Sequence, residues 1–185
     1  MEETHQNRVV AWWTSGLTGI AKSDSAPNAI HFTAPPEFGG LQGRWTPEEL
    51  LLGAVGGCFT TTFRTIAAHA NFEYADLEVE TQGTAAKTAD GYRFGEIVIR
   101  PRLTISSEEE RNRGVDLLKK AKALCLVSRA LAVTQTFQPL IAVGKDCPRR
   151  LIGFTSPAKQ ERPKTRLENH EPHLQAHQNS KSIQK

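Results

Sequence analysis

The sequence predicts a fold that mixes β-strands with helices. Three observations predict it: short β-prone runs precede a long capped helix, an alternating strand pair follows that helix, and a second helix with opposite charges at its two ends comes next. The chain has 185 residues, of which 38% are apolar. This is enough core material for one compact domain of ordinary size.

The composition changes near residue 145, and we place a domain boundary there. Residues 1–145 form the predicted folded domain, and residues 146–185 form a polar, basic tail with eight Lys or Arg and four Asp or Glu. This tail accounts for the net charge of +3. Its composition is typical of disordered segments. The remaining domain is nearly neutral, which argues against a nucleic-acid-binding face.

The first elements are predicted to be two strands, at residues 8–14 and 29–33, joined by a turn-rich link. Residues 34–45 follow with two prolines and three glycines. That density of helix- and strand-breaking residues predicts a loop without regular structure.

The clearest helix start in the chain is at Thr46. Thr46 is a good N-cap, Pro47 suits the first helical position, and Glu49 completes a capping box. The predicted helix runs to Ala70 and has no charged residue between positions 50 and 63. It is therefore expected to be buried on most sides. Three glycines inside it, at positions 53, 56 and 57, predict close approach of another backbone, such as a second central helix.

The second half of the domain is predicted to contain a hairpin, two helices and a last strand. Residues 77–84 and 97–105 alternate in part and are separated by a long loop containing Asp90-Gly91. A helix capped by Ser106 or Ser107 follows, then a short helix near residues 125–131 and a strand over residues 133–143.

Three cysteines are present: Cys58, Cys125 and Cys147. None forms a CxxC pair or lies in a metal-binding loop pattern, so no metal is expected. By residue type alone, Cys58 and Cys125 are most simply two small buried hydrophobic residues.

The residues around these cysteines resemble a known family. Residues 46–59, TPEELLLGAVGGCF, resemble the signature T-N-P-E-E-L-x-x-A-x-x-x-C-F of the osmotically inducible protein C and organic hydroperoxide resistance (OsmC/Ohr) family. Residues 121–128, AKALCLVS, resemble that family's second signature, A-K-A-x-C-P-V-S. The order of predicted elements also agrees, and the resemblance spans residues 8–143.

The resemblance implies an α+β fold in which strongly curved antiparallel sheets wrap around central helices of an intertwined homodimer. It also implies a thiol peroxidase for oxidative stress defence, with an active site at the dimer interface. Cys58 would reduce an organic hydroperoxide to an alcohol and become a sulfenic acid, and Cys125 would resolve it as a disulfide. The enzyme would hold no cofactor, and an external dithiol, such as a lipoyl-type one, would reduce the disulfide.

The resemblance implies that two further residues belong to the active site. Glu48 matches a glutamate that orients an activating arginine, and Arg44 is the arginine nearest to that role, because Phe38 stands near the arginine position of one family branch. Glu48 lies ten residues before Cys58, about 15 Å along a helix. We therefore expect Glu48 to serve the Cys58 of the other protomer. Leu126 replaces the proline of the second signature.

Two other functions stay open. In one, the protein is a catalytically silent family member whose interface cleft binds a small apolar ligand; in the other, it acts through its basic tail. Cys147 is expected to be incidental, although it could resolve Cys58 if the tail folds back. The polar, acidic N-terminus lacks a signal-peptide pattern and no apolar run approaches the length of a membrane span, so we expect a cytoplasmic protein.

Overall fold

A computed structural model describes residues 4–144 of the chain. The predicted tail, with Cys147, lies outside the described residues, so its boundary and role stay predictions. The described chain has seven strands and three α-helices: β1 Val9–Ser15, β2 Thr18–Ser23, β3 Ile30–Thr33, α1 Pro47–His69, β4 Asp76–Thr88, β5 Gly91–Ile105, α2 Arg111–Leu124, α3 Leu126–Ala130, β6 Thr134–Phe137 and β7 Leu140–Val143.

The N-terminal sheet has the antiparallel order β1-β2-β3. The sequence predicted β1 and β3 but not β2, because residues 18–23 carry no strong strand pattern. The strand forms because the chain reverses at Gly16, which has a φ of +52°, and then pairs on both sides. Within β2, a Cβ at Gly19 would lie 2.5 Å from the Phe32 ring, so only glycine fits between the strands. The following loop, predicted to lack regular structure, contains one 3-10 turn at Pro36–Phe38.

Helix α1 begins as the sequence predicts. The Glu49 backbone N–H donates to the Thr46 hydroxyl at 3.2 Å, and the Thr46 N–H donates to the Glu49 carboxylate at 2.8 Å. Both bonds of the capping box are therefore present. They satisfy backbone donors that would otherwise be unpaired at the helix start.

One face of α1 is buried and the opposite face is exposed. The buried residues are Val55, Phe59, Phe63, Ile66 and Ala67. The predicted burial on most sides is thus wrong for the chain by itself. A Cβ at Gly56 would make only ordinary contact with β4, 3.5 Å from the Thr81 side chain, and no described atom lies within 4 Å of a Cβ at Gly57. The predicted close approach of a second helix to these glycines therefore stays a prediction.

By length and composition, α1 is also the single helix of residues 4–144 that could cross a membrane, with a mean hydropathy of 1.3. The sequence prediction did not anticipate this. It is weak evidence for a span, because a core helix passes the same test. The buried face of α1 packs in the hydrophobic core of the domain, as a core helix does.

The second sheet is built on the β4–β5 hairpin. The long loop predicted within it is wrong: the strands pair from Asp76 with Thr104 to Thr88 with Gly91, so that only residues 89 and 90 connect them. Gly91 has a φ of +109°, which permits this tight reversal. A bulge at Thr84–Ala85 separates the core end of the hairpin from its exposed tip.

The predicted last strand divides into β6 and β7, which pair end to end along the free edge of β5. Both run parallel to β5, unlike the antiparallel pairs elsewhere. They do so because α2 and α3 form a crossover between β5 and β6, and such a connection returns the chain in the same direction. Helix α2 follows a 3-10 turn that Ser107 caps. The α+β fold class is confirmed, with its core between α1, α2 and β5.

Candidate functional site

The fold brings Cys58 and Cys125 close enough together for each thiol to affect the pKa of the other. Cys58 lies in the middle of α1, half-buried, and Cys125 lies fully buried at the junction of α2 and α3. The Cys125 thiol also donates to the carbonyl of Val55 at 4.0 Å, one helical turn before Cys58. The Cys125 sulfur therefore packs against the turn of α1 that carries Cys58. Both are in the free, reduced form.

The pKa of the Cys58 thiol lies below its ordinary value. Burial raises this pKa, but four hydrogen-bond donors together outweigh the burial. The strongest is the backbone N–H of Val127, followed by the Cys125 thiol, the Thr62 hydroxyl and the backbone N–H of Leu126. Each donor stabilises the charged form of the sulfur, so the site favours a thiolate at Cys58.

The pKa of the Cys125 thiol is shifted in the opposite direction, above its ordinary value. Burial is the largest cause, and the contact with Cys58 and the negative charge of Cys58 add to it. The Ser128 backbone N–H and the charge of Lys122 oppose the shift. The pair is therefore arranged as one thiolate, Cys58, beside one thiol that donates to it, Cys125.

Sequence reasoning missed Lys122 as part of this site. Its half-buried ammonium donates to the Ser128 hydroxyl at 2.7 Å and to the Gln135 side-chain oxygen at 2.6 Å. The Ser128 hydroxyl also donates to that oxygen, and the Gln135 amide donates to the Ser128 carbonyl at 2.7 Å. The sequence indicates only that Lys122 belongs to the positive charges near the end of the second helix. Its place in the second signature, three residues before Cys125, was the signal that could have identified it.

Leu126 does not separate the two cysteines. Helix α2 ends at Leu124, and Cys125 takes an extended conformation with φ −62° and ψ 110° before α3 begins at Leu126. The Leu126 N–H is retained and points to the Cys58 sulfur. A proline at this position would have no such donor.

Arg44 and Glu48 lie at the start of α1, away from the cysteine pair of their own chain. Glu48 is in the first turn, and the rise of the helix places it about 15 Å from Cys58 along the axis. Arg44 is exposed and lines a surface groove together with Gln42, Trp45 and Glu49. One carboxylate oxygen of Glu48 is buried and has no hydrogen-bond partner among the described residues. Whether these two residues serve a second protomer stays a prediction.

The part of the chain that the structure describes contains no group of three His, Cys, Asp or Glu side chains that could hold a metal ion.

A family model decides the classification. Residues 40–138 match the model described as OsmC-like protein, and they contain both cysteines and Lys122. The chain belongs to the OsmC-like family. The match covers more than half of the chain and includes α1, the hairpin, α2, α3 and β6.

The chain is also similar to individual proteins. The chain is 25% identical over 130 residues to the uncharacterized protein YmaD of Bacillus subtilis, which covers 69% of this chain and 87% of YmaD. An OsmC-like protein of unknown function from Vibrio cholerae has a TM-score of 0.66 at 15% identity, covering 74% of this chain and all of that one.

Some structural neighbours in the OsmC-like family carry functional names. An organic hydroperoxide resistance protein OsmC from Legionella pneumophila has a TM-score of 0.62 at 19% identity, covering 77% of this chain and all of that one. The organic hydroperoxide resistance protein OhrB of Bacillus subtilis has a TM-score of 0.55 at 21% identity, covering 74% of this chain and 98% of OhrB. At these identities the likeness shows the fold of the present OsmC-like protein and not its activity.

Proposed function

We propose that this OsmC-like protein is a cytoplasmic thiol peroxidase that reduces organic hydroperoxides to alcohols in defence against oxidative stress. The observation that carries the proposal is the contact between Cys58 and Cys125, whose pKa values are shifted in opposite directions. A peroxidatic thiol needs a thiolate, and a resolving thiol needs to lie beside it.

In the first step, the Cys58 thiolate attacks the terminal oxygen of the hydroperoxide. An S–O bond forms, the O–O bond breaks, and the alkoxide takes a proton from solvent to become an alcohol. Cys58 is oxidised to a sulfenic acid. The N–H groups of Val127 and Leu126 and the Thr62 hydroxyl stabilise the attacking thiolate.

In the second step, the Cys125 sulfur attacks the sulfenic sulfur of Cys58. An S–S bond forms and the S–O bond breaks, and the departing hydroxide, together with the proton released by Cys125, gives water. Burial and proximity favour this capture over further oxidation of Cys58. An external dithiol then reduces the disulfide and restores both thiols, becoming a disulfide itself. The protein needs no bound cofactor.

The surface beside Cys58 suits an apolar substrate. Leu124 and Leu126 flank Cys125 on the outside of the domain, with exposed fractions of 50% and 72%. Leu126 is the more exposed of the two, and it is also the residue whose backbone N–H faces Cys58. An alkyl or aryl group on the hydroperoxide would cover this leucine surface, which hydrogen peroxide cannot do.

The complete site requires a homodimer in this proposal. The exposed face of α1 contains Gly53 and Gly57, where a second helix could approach closely. One carboxylate oxygen of Glu48 is buried without a hydrogen-bond partner in residues 4–144, and a buried polar atom without a partner is costly. We infer that Glu48 and Arg44 act at the Cys58 of a second copy of the chain. The donors to the Cys58 thiolate from its own chain are all neutral, and Arg44 of the second copy would add a positive charge beside it.

The experiment that tests the proposal is turnover of cumene hydroperoxide and of hydrogen peroxide with dihydrolipoamide as reductant. Wild-type protein should consume cumene hydroperoxide much faster than hydrogen peroxide. Cys58→Ser should abolish turnover, while Cys147→Ser, changed in the tail, should retain it. Wild-type turnover no faster than that of free cysteine would reject the peroxidase and favour a silent protein whose interface cleft binds a small apolar ligand.

A further inference from the structure

Lys122 of α2 is the positively charged residue that acts on the cysteine pair. Lys122 is half-buried, and no carboxylate in residues 4–144 forms an ion pair with it. Its hydrogen-bond partners, Ser128 and Gln135, are neutral, and the group whose charge it interacts with is the Cys125 thiol. A half-buried ammonium without a counter-charge is unfavourable, and it becomes favourable when a negative charge forms beside it.

The ammonium is held in place by elements on two sides. Ser128 of α3 is 1% exposed and Gln135 lies on β6, which pairs with β5. Both accept hydrogen bonds from Lys122, and Gln135 is in turn bonded to the Ser128 carbonyl. The Lys122 ammonium is therefore held against Ser128 and Gln135, where its charge acts on the buried thiol of Cys125, three residues further along the chain.

The charges that face Cys125 change during the proposed reaction. The titratable or charged groups facing it are Cys58 from α1 and Lys122 from α2; α3 and β6 present the neutral Ser128 and Gln135. While Cys58 is a thiolate, its negative charge opposes a second thiolate at Cys125. Oxidation converts Cys58 to a neutral sulfenic acid, so that repulsion ends and the attraction of Lys122 remains.

We propose that Lys122 is a positioning residue for the second half of the reaction, whose fixed ammonium stabilises the Cys125 thiolate only after Cys58 has been oxidised. The inference rests on the proposed peroxidase function and assigns to Lys122 the timing of disulfide formation. In the reduced protein the pair carries one negative charge, and it lies on Cys58. In the sulfenic form the negative charge moves to Cys125, whose attack on Cys58 releases hydroxide.

The first test needs no hydroperoxide and measures the thiolate at Cys125 directly. In a Cys58→Ser, Cys147→Ser background, Cys125 is the single thiol, and serine supplies the neutral neighbour that the sulfenic acid would supply. Thiolate absorbance at 240 nm is followed against pH. Lys122→Met should raise the midpoint by about one pH unit, a tenfold change in the thiolate equilibrium. Lys122→Arg, which keeps the charge, should restore most of the shift.

The matched control is Lys120→Met, which removes an exposed lysine from the same helix. An unchanged midpoint in Lys122→Met, an equal shift in Lys120→Met, or a Lys122→Arg midpoint equal to that of Lys122→Met would overturn the inference. If Lys122→Met does not fold, Lys122→Gln keeps a donor for Ser128 and Gln135 without the charge, and the same shift is expected.

The second test separates this inference from the proposed function. After one equivalent of cumene hydroperoxide, wild-type protein should form its disulfide within the mixing time or soon after. Lys122→Met should lose the Cys58 thiol as fast but form the disulfide at least threefold more slowly at neutral pH, with more sulfenic acid trapped by dimedone. If wild-type protein does not react, the proposed function fails. If it reacts and Lys122→Met forms the disulfide equally fast, the role of Lys122 fails.

Discussion

The Thr62 hydroxyl offers a selective way to perturb the Cys58 thiolate. Thr62 lies one turn after Cys58 on α1 and is one of the donors that lower the pKa of Cys58. Thr62→Val removes the donor and nearly keeps the side-chain volume. The Val127 and Leu126 N–H groups and the Cys125 thiol remain in place, so the variant isolates one hydrogen bond.

The size of the effect follows from the geometry. A hydrogen bond to a charged group contributes about 1.5–3 kcal/mol. Because Cys58 is half-buried and shares its charge among several donors, we use the lower end, which raises its pKa by about one unit. Below that pKa the thiolate fraction falls about tenfold. The more basic thiolate is intrinsically about threefold more reactive, so the oxidation rate falls roughly three- to fourfold.

The assay is the pH dependence of the first, second-order oxidation phase with excess cumene hydroperoxide, read from loss of thiolate absorbance. Thr62→Val should be slower than wild type at low pH and up to about threefold faster at high pH, where both proteins are fully ionised, so the two profiles cross. Thr65→Val is the matched control, since the Thr65 hydroxyl bonds to the carbonyl of Thr61 and not to Cys58. Superimposable profiles for wild type and Thr62→Val would refute the reasoning.

Three further changes test the fold and the assembly. Thr46→Ala should lower the free energy of unfolding by about 1 kcal/mol in urea titration, because the Glu49 N–H loses the hydroxyl that accepts its bond. Glu49→Gln, which can keep both bonds of the box, should change it less; equal values for the two variants would contradict the capping role. Leu118→Ala removes a fully buried side chain and should cost about 2–5 kcal/mol by the same titration; a loss below 1 kcal/mol would show that the site is not packed as described. In the proposed homodimer a second helix packs against Gly57, where the chain itself leaves open space. Gly57→Leu should therefore shift the mass measured by light scattering from dimer to monomer, and an unchanged dimer mass would show that the interface lies elsewhere.

Local signals in the sequence were sufficient for α1. The capping box of Thr46 and Glu49 depends on residues three apart, and both of its bonds are present in the structure. The end of α2 was harder to predict. It breaks at Cys125 without the proline of the family signature, because Cys125 takes a ψ of 110° while its sulfur packs against α1.

Features that depend on distant parts of the chain were not predictable in the same way. Strand β2 forms because β1 and β3 pair with it on either side, and its own residues show no pattern. The role assigned to Lys122 depends on Gln135, which reaches it only because β6 pairs in parallel with β5. The approach of Cys125 to Cys58 followed from the family resemblance; neither spacing nor composition indicated it.

The account depends most directly on the fate of the two thiols. Reduced, purified protein would be treated with one equivalent of cumene hydroperoxide, its free thiols counted before and after, and any new disulfide located by mass spectrometry of the digested protein. The account predicts rapid loss of two thiols and a Cys58–Cys125 disulfide, with the Cys147 thiol intact. Oxidation no faster than that of free cysteine, or a disulfide that includes Cys147 in place of Cys125, would contradict it.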